Sequence, residues 1–239
     1  MTWRVGLLVP SSNSVMEVDF YRSLPRDARL HTSRLYTTGV TGASEEHALD
    51  QFVMPAAQAV GIIRPHVVVF GCTGARLLRG NDYDRDLCVR LSRVTGAVTL
   101  SISAAVDHAQ HETRATRIAV ITPYVDAMNE RIKASVEAGG IEVSAMHGMG
   151  LTGHDIASVT PEAIYAFVQS RIGPRVPGEA LFLAGTDYRA MDTLSLLKIT
   201  YDVPLATNNL AALQAVKRII ESLREREMAL GDARGLAST

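Results

Sequence analysis

The segment RVGLLVP at residues 4–10 recurs as RIAVITP at residues 117–123, with arginine first and proline last in both copies. A second segment, VFGCTGAR at residues 69–76, recurs as FLAGTDYR at residues 182–189. Both pairs are offset by 113 residues (123 − 10 and 189 − 76). A repeat of this length is typical of a duplicated domain, since the units of solenoid proteins span only about 20–50 residues. The sequence therefore predicts two similar halves joined in tandem.

A third pair lies between the first two and supports the same division. GVTG at residues 39–42 resembles GLTG at residues 150–153, at an offset of 111 residues (150 − 39). We expect residues 1–112 to form the first half and residues 113–225 the second. Residues 226–239 are charged and small, which predicts a C-terminal tail that frays.

Short apolar runs alternate along the chain with amphipathic stretches of helical length. Runs in which nearly every residue is apolar are typical of strands buried on both faces, as in parallel sheets. The predicted strands are residues 5–9, 67–70, 98–102, 118–121, 180–184 and 203–206. The predicted helices are residues 45–63, 83–95, 103–110, 125–138, 161–172 and 210–226. This alternation predicts an α/β fold of two pseudo-twofold-related, Rossmann-like halves, with parallel four-stranded sheets and a cleft between the halves.

Composition excludes several classes of protein. The 239 residues include 24 basic and 25 acidic side chains, for a net charge of −1. Such a balance gives no field that would attract nucleic acid or an anionic membrane surface, so we expect neither partner. Two cysteines are too few for a disulfide framework and indicate a reducing compartment. No apolar run reaches the 18 or so residues that span a bilayer, and the strand pattern from Val5 leaves no room for a signal peptide. We expect a cytoplasmic protein that acts on a small molecule.

The repeat also marks four turns in which a ligand site is expected. In open parallel sheets, ligands bind outside the carboxyl ends of the strands. The turns at residues 10–13 and 123–124 follow the first strand of each half, and those at residues 72–74 and 185–187 follow a later strand. If the halves face each other, the four turns converge on one cleft, with position 72 opposite position 185.

Cys72 is the candidate nucleophile in these turns. Glycines lie on both sides of it, so a ligand can approach the backbone, and nearby amides can lower the pKa of the thiol. We then expect Cys72 to face the cleft and to react with thiol reagents at neutral pH. The alternative is a small buried hydrophobe, which most free cysteines are. Cys88 is predicted to lie in the core, because it shares a helix face with Leu87 and Leu91.

Polar residues in the other turns are candidate substrate ligands. Amides and hydroxyls at the start of a helix favour anions, so Ser11, Ser12 and Asn13 can hold a carboxylate or cap the helix that follows. Tyr124 occupies the counterpart position and can donate to a second carboxylate or simply pack. Amides and hydroxyls aimed at an enediolate can stabilise it, with about 3–4 kcal/mol lost per deleted donor. The candidates are residues 11–13, the turn with Thr73 and Gly74, and Thr186, and Gly185 is a further candidate substrate ligand.

Two further residues have open assignments. Asp187 is either an acid or base, or the cap of the helix that starts there. Asn208, after the last strand, is a ligand donor or a cap. The seven histidines show no metal-site spacing, so no metal or other cofactor is expected.

Together these motifs resemble the aspartate/glutamate racemase superfamily, and within it the branch of maleate cis–trans isomerases and arylmalonate decarboxylases. The resemblance rests on PSSN at residues 10–13, the turn at residues 71–74 and TPY at residues 122–124, and it extends from about residue 4 to about residue 217. It implies a cofactor-independent homodimeric enzyme in which two cysteines, one per half, flank a small carboxylic or dicarboxylic acid. By resemblance, Cys72 is the first of these cysteines, and Asn13 and Tyr124 bind a substrate carboxylate.

Gly185 stands where the second cysteine of the superfamily would fall. Racemisation by two thiols is therefore not available. The resemblance then favours an isomerase in which Cys72 adds to a cis double bond, with Asp187 or water covering for the missing thiol. One alternative is a decarboxylase whose single thiol protonates an enediolate, although the known decarboxylases keep the cysteine of the second half. The other is a carboxylate-binding protein without catalysis. If two-thiol chemistry is only dormant, Gly185→Cys should raise turnover.

Overall fold

The computed structural model describes residues 2–37 and 42–236. Strands and helices alternate over nearly the whole of this length. In chain order the elements are β1 (Trp3–Pro10), α1 (Met16–Ser23), β2 (Ala28–Leu35), α2 (Gly42–Gln51), α3 (Val53–Gly61), β3 (Val67–Phe70), α4 (Gly74–Thr95), β4 (Val98–Ser101), α5 (Ile102–Glu112), β5 (Arg117–Tyr124), α6 (Asp126–Glu137), β6 (Glu142–Leu151), α7 (Asp155–Ser158), α8 (Pro161–Ile172), β7 (Ala180–Leu183), α9 (Ala190–Thr200), β8 (Leu205–Thr207) and α10 (Asn208–Leu236).

The strands form two parallel four-stranded sheets with the same topology. The first has the order β2-β1-β3-β4 and the second the order β6-β5-β7-β8. Val5 pairs with Val67 in the first sheet and Ile118 with Ala180 in the second, so both partners shift by 113 residues (118 − 5 and 180 − 67). The duplicated α/β fold with two parallel four-stranded sheets is confirmed. The GVTG member of the repeat lies largely outside the described residues.

Apolar runs predicted the central strands but not β2 and β6. These two strands lie at the sheet edges, and most of their residues are only partly buried. Since an edge strand need not be apolar throughout, ARLHTSRL in β2 gives no continuous apolar run.

Two helical predictions also needed correction. The predicted helix 45–63 is two helices, α2 and α3, interrupted at Phe52. The predicted helix 83–95 is the second part of α4, which is broken at Gly80 (φ 85°). The first part of α4, which directly follows Cys72, was missed.

The hydrophobic core joins both halves. Its central cluster contains buried side chains of β1, β3, β5 and β7 together with those of α5 and α10. The last helix, α10, packs against α1, α5 and β3, all of which precede the second sheet in the chain. The helix continues to Leu236, so residues 226–236 of the predicted tail are helical. No helix in the described ranges is long and apolar enough to cross a membrane.

Candidate active site

The four turns marked by the repeat meet at one cavity at the carboxyl ends of β1, β3, β5 and β7. Its empty volume is about 860 Å³, including the open mouth. Seven residues of the predicted site line it, as expected if the halves face each other. They are Ser12, Asn13, Cys72, Thr73, Tyr124, Thr186 and Asp187.

Cys72 lies between the end of β3 and the start of α4, and it is only 5% exposed. The backbone N–H groups of Gly74 and Ala75, at the start of α4, hydrogen-bond to its sulfur and favour the thiolate. Burial and the nearby carboxylate of Glu45 outweigh these amides and raise the pKa of the Cys72 thiol. The expected lowering of the pKa is therefore not found in the ligand-free protein, and the reactivity of Cys72 with thiol reagents at neutral pH stays a prediction.

The second cysteine does not belong to the site. Cys88 lies on α4 and is partly buried, beside the fully buried Leu87 and Leu91. Leu87 and Leu91 thus lie in the core, whereas Cys88, which was predicted to lie there too, is only partly buried. Burial raises its pKa to about 11.

Asn13 is both a helix cap and a bridge between the halves. Its Oδ1 accepts hydrogen bonds from the N–H groups of Val15 and Met16 at 3.1 and 3.0 Å, which satisfies donors at the start of α1. Its Nδ2 donates to Oγ1 of Thr186 at 3.1 Å, across the cavity. One Nδ2 proton is left for a ligand. Ser11, in contrast, is exposed and bonds to Thr37, so it does not line the cavity.

Asp187 holds the turn in front of α1 from the other half of the molecule. Its Oδ1 accepts from the backbone N–H of Ser14 at 2.8 Å, two residues before α1 begins. Burial raises the pKa of the Asp187 carboxyl, against the opposing effect of the Ser14 donors. The expectation that it caps the helix starting at its own turn is wrong.

Tyr124 closes the cavity at the end of β5. Burial, together with the carboxylates of Glu45 and Asp187, raises the pKa of its phenol, so Tyr124 is a neutral donor. Its hydroxyl makes no hydrogen bond to any of the residues described. It is therefore available to a ligand.

Gly185 and Asn208 line a neighbouring cavity of about 470 Å³, which shares Thr73, Leu77 and Tyr124 with the first. The N–H of Gly185 donates to Oδ1 of Asn208 at 2.7 Å. Gly185 has φ 132°, in the region that favours glycine. A Cβ there would lie 3.0 Å from Cβ of Tyr188. Position 185 therefore cannot accept a second thiol without strain, and the expected gain from Gly185→Cys does not follow from this geometry.

Glu45 is a site residue that the sequence argument missed. It lies on α2, where residues 44–46 indicated only a helix start, and it lines the cavity beside Cys72. A Cβ on Gly74 would lie 2.7 Å from Oε2 of Glu45 and 3.3 Å from Sγ of Cys72, so both groups crowd the same glycine. Burial raises the pKa of the Glu45 carboxyl, partly offset by Arg131. Gly74 itself positions these groups without lining the cavity.

A sequence model of the arylmalonate decarboxylase family matches residues 5–232. The chain belongs to this family. Maleate isomerase from Alcaligenes faecalis is 27% identical over 183 residues, which are 70% of this chain and 72% of that protein.

Solved structures show the same fold. One is maleate isomerase from Pseudomonas putida S16, solved as a cysteine-to-alanine variant with maleate. Its TM-score is 0.85 at 21% identity, and the match covers 92% of this chain and 93% of that chain. Maleate cis–trans isomerase from Nocardia farcinica, as a cysteine-to-serine mutant with a covalently bound succinylcysteine intermediate, has a TM-score of 0.82 at 18% identity, covering 92% of this chain and 94% of that chain.

Proposed function

We propose that this family member is a cofactor-independent cis–trans isomerase of a small unsaturated carboxylic acid, with Cys72 as the nucleophile. The observation that carries the proposal is a thiol held by two helix N-terminal amides inside a cavity that both sheets line. The maleate isomerases among the relatives, and the cysteine adduct seen in one of them, support the same chemistry.

The proposed reaction begins when the thiol of Cys72 passes its proton to Asp187 or to water, and the resulting thiolate attacks one vinylic carbon of the cis acid. The new C–S bond forms as the π electron pair moves toward the carboxylate and gives an enediolate. The former double bond is now single and rotates. The electron pair then re-forms the double bond in the trans arrangement, and the C–S bond breaks to return the thiolate. No proton needs to be added to or removed from carbon.

Uncharged donors around the cavity are proposed to hold the carboxylate and the enediolate. Asn13 offers its remaining Nδ2 proton and Tyr124 its hydroxyl. Preorganised donors of this kind act without a reorganisation cost when charge develops. The remaining proposed ligands are the hydroxyls of Ser12, Thr73 and Thr186. Asp187, whose pKa is raised by burial, is the proposed proton carrier if the adduct is protonated.

The test is to incubate the protein with cis acids of this class, maleate among them, and to follow the product by proton NMR in heavy water. We expect the trans acid with little deuterium at the vinylic carbons, and an adduct on Cys72 by mass spectrometry. Cys72→Ser should abolish both, whereas Cys88→Ser should retain them. Turnover retained in Cys72→Ser with no adduct in the native protein would contradict the nucleophilic role.

Decarboxylation is the second candidate, favoured by the description of the family model. It predicts release of carbon dioxide from an arylmalonate, incorporation of one deuterium and no adduct. We rank it second because the thiol of this chain lies in the first half, at Cys72, with glycine at position 185. If both activities fail, the carboxylate-binding alternative leads, and thermal shifts against a panel of small acids test it.

On the resemblance we also propose a homodimer, which light scattering tests. The two free cysteines support a cytoplasmic location.

A further inference from the structure

The charge of the Cys72 cavity does not match a substrate with two carboxylates. The acidic residues among its lining are Glu45 and Asp187. No lysine, arginine or histidine is among the lining residues in the described part of the chain. A dianion would therefore enter a partly buried acidic site with no cation in its lining, since Arg131, which partly offsets Glu45, lies outside that lining; this is unfavourable.

The carboxylates of Asp187 and Glu45 differ in their hydrogen bonding. Asp187 accepts hydrogen bonds from the backbone and hydroxyl of Ser14, in the turn before α1. Glu45, within residues 2–37 and 42–236, accepts no hydrogen bond and forms no salt bridge. A partly buried carboxylate without a donor is costly to the free protein, and a ligand that supplies a donor relieves that cost.

Glu45 also lies where the reacting part of a substrate must be. A Cβ on Gly74 would lie 2.7 Å from Oε2 of Glu45 and 3.3 Å from the sulfur of Cys72, so the carboxylate and the thiol are neighbours. Atoms attached to a carbon bonded to that sulfur are therefore within reach of the Glu45 carboxylate. Asn13 and Tyr124 supply the neutral donors for the other arm of the substrate.

We propose that Glu45 selects a cis-enoic acid with a single carboxylate whose other arm carries an N–H donor, a carboxamide or an ammonium, in place of a second carboxylate. This substrate class rests on the proposed isomerase function. The carboxylate accepts from the N–H of the correct substrate and repels the second carboxylate of a dicarboxylate, so attraction and repulsion both contribute to specificity.

The test compares maleate with its half-amide, maleamate, at pH 8. We expect kcat/KM of the native protein for maleamate to exceed that for maleate at least tenfold. Glu45→Gln removes the charge and offers an amide, and should shift the ratio at least tenfold toward maleate. Glu46→Gln, an exposed neighbour on the same helix, should leave the ratio unchanged. A native preference for maleate, or an unchanged ratio in Glu45→Gln, would overturn the assignment even if both substrates are isomerised.

A binding measurement separates failure of the specificity assignment from failure of the proposed function. Succinate and succinamate lack the double bond, so their binding by calorimetry does not depend on catalysis. Tighter binding of succinamate by the native protein, with the ratio shifted toward succinate in Glu45→Gln, would support the role of Glu45 even without turnover. Equal affinities in both proteins would overturn it, whatever the outcome of the isomerase assay.

Discussion

At the scale of single residues, two opposing effects control the reactivity of Cys72. The amides of Gly74 and Ala75 favour the thiolate, while burial and the negative charge of Glu45 oppose it, and the opposing effects are larger. The raised pKa favours the protonated thiol of Cys72 in the free protein. Substrate binding has to alter this balance, for example by donating a hydrogen bond to Glu45 and thereby reducing its effect on the sulfur.

This balance predicts the effect of neutralising Glu45. Because a nearby negative charge raises the pKa of a thiol, Glu45→Gln should lower the pKa of Cys72 and increase the thiolate fraction at pH 8. Alkylation of Cys72 by iodoacetamide, followed by peptide mass spectrometry across pH 7–10, should then be several-fold faster than in the native protein. Glu46→Gln is the matched control. An equal or slower rate in Glu45→Gln would show that Glu45 does not control the thiol.

Gly185 provides a second prediction at this scale. Any side chain there must adopt φ near 132° and crowd Tyr188 and Pro123. Backbone strain of this kind costs about 1–3 kcal/mol, so Gly185→Ala and Gly185→Cys should both lower the free energy of unfolding by that amount. Gly61→Ala is the control, since a Cβ on Gly61 in α3 makes only ordinary contacts, the nearest at 3.5 Å. Urea denaturation measures both, and an unchanged stability in Gly185→Ala would contradict the strain argument.

At the scale of elements, the sequence predicted the apolar strands, which are buried on both faces, and missed the polar edge strands β2 and β6. β3 begins and ends where its apolar run does, at residues 67–70. β2 and β6 were missed because polar residues, most of them only partly exposed at the sheet edges, interrupt their apolar runs. The spacing of the repeat was enough to predict that Cys72, Asn13 and Tyr124 lie at one cavity, although β2 was not predicted.

The missed features of the site depend on contacts distant in the chain. Glu45 reaches Cys72 because α2 packs against α4, and Asp187 bonds to Ser14 in the other half. No local pattern at residues 44–46 or 185–187 distinguishes these contacts from ordinary helix starts. The sequence therefore placed Asp187 at the cleft but could not predict its partner Ser14 or the presence of Glu45 beside Cys72.

The contact between α1 and α10 makes stability depend on pH. Oδ2 of Asp19 on α1 accepts from Nδ2 of Asn209 on α10 at 2.8 Å, and burial raises the pKa of Asp19 to about 6. An acid whose pKa is higher in the folded state than its usual 3.8 stabilises the fold when protonated and loses that contribution as the pH rises through 6. The loss is about 2.5 kcal/mol between pH 4 and pH 8, since at pH 4 the unfolded carboxyl is already more than half ionised. The charges around Asp19 are those of Arg22, Arg189 and Asp192.

Asp19→Asn keeps an acceptor for Asn209 and removes the titration. The free energy of unfolding of this variant relative to the native protein should therefore rise by up to about 2.5 kcal/mol between pH 4 and pH 8. Urea denaturation at the two pH values measures the difference. Asp202→Asn, at an exposed position, should show no such trend. A constant difference between Asp19→Asn and the native protein would mean that folding does not raise the pKa of Asp19.

At the scale of the whole molecule, the last helix of the second half, α10, packs against elements of the first half. α10 follows the second sheet but packs on α5 and on β3 of the first sheet, with Ala212, Val216 and Ile220 buried. Its first residues, Asn208 and Asn209, bond to Gly185 and to Thr186 beside the cavity. The last helix therefore holds the sheets together and supports the site.

This packing predicts a single cooperative unfolding transition and different outcomes for two truncations. A chain ending at residue 209 would expose the apolar surface of α5 and β3, and should bind a hydrophobic dye, melt without a sharp transition and lose binding of small acids. A chain ending at residue 229 keeps the buried part of α10 and the pair between Arg224 and Asp27, so it should melt close to the full-length protein. Calorimetry of all three chains measures this. Two separate transitions in the full-length protein, or a chain ending at residue 209 that still folds cooperatively, would show that the halves fold independently and that α10 is not the element joining them.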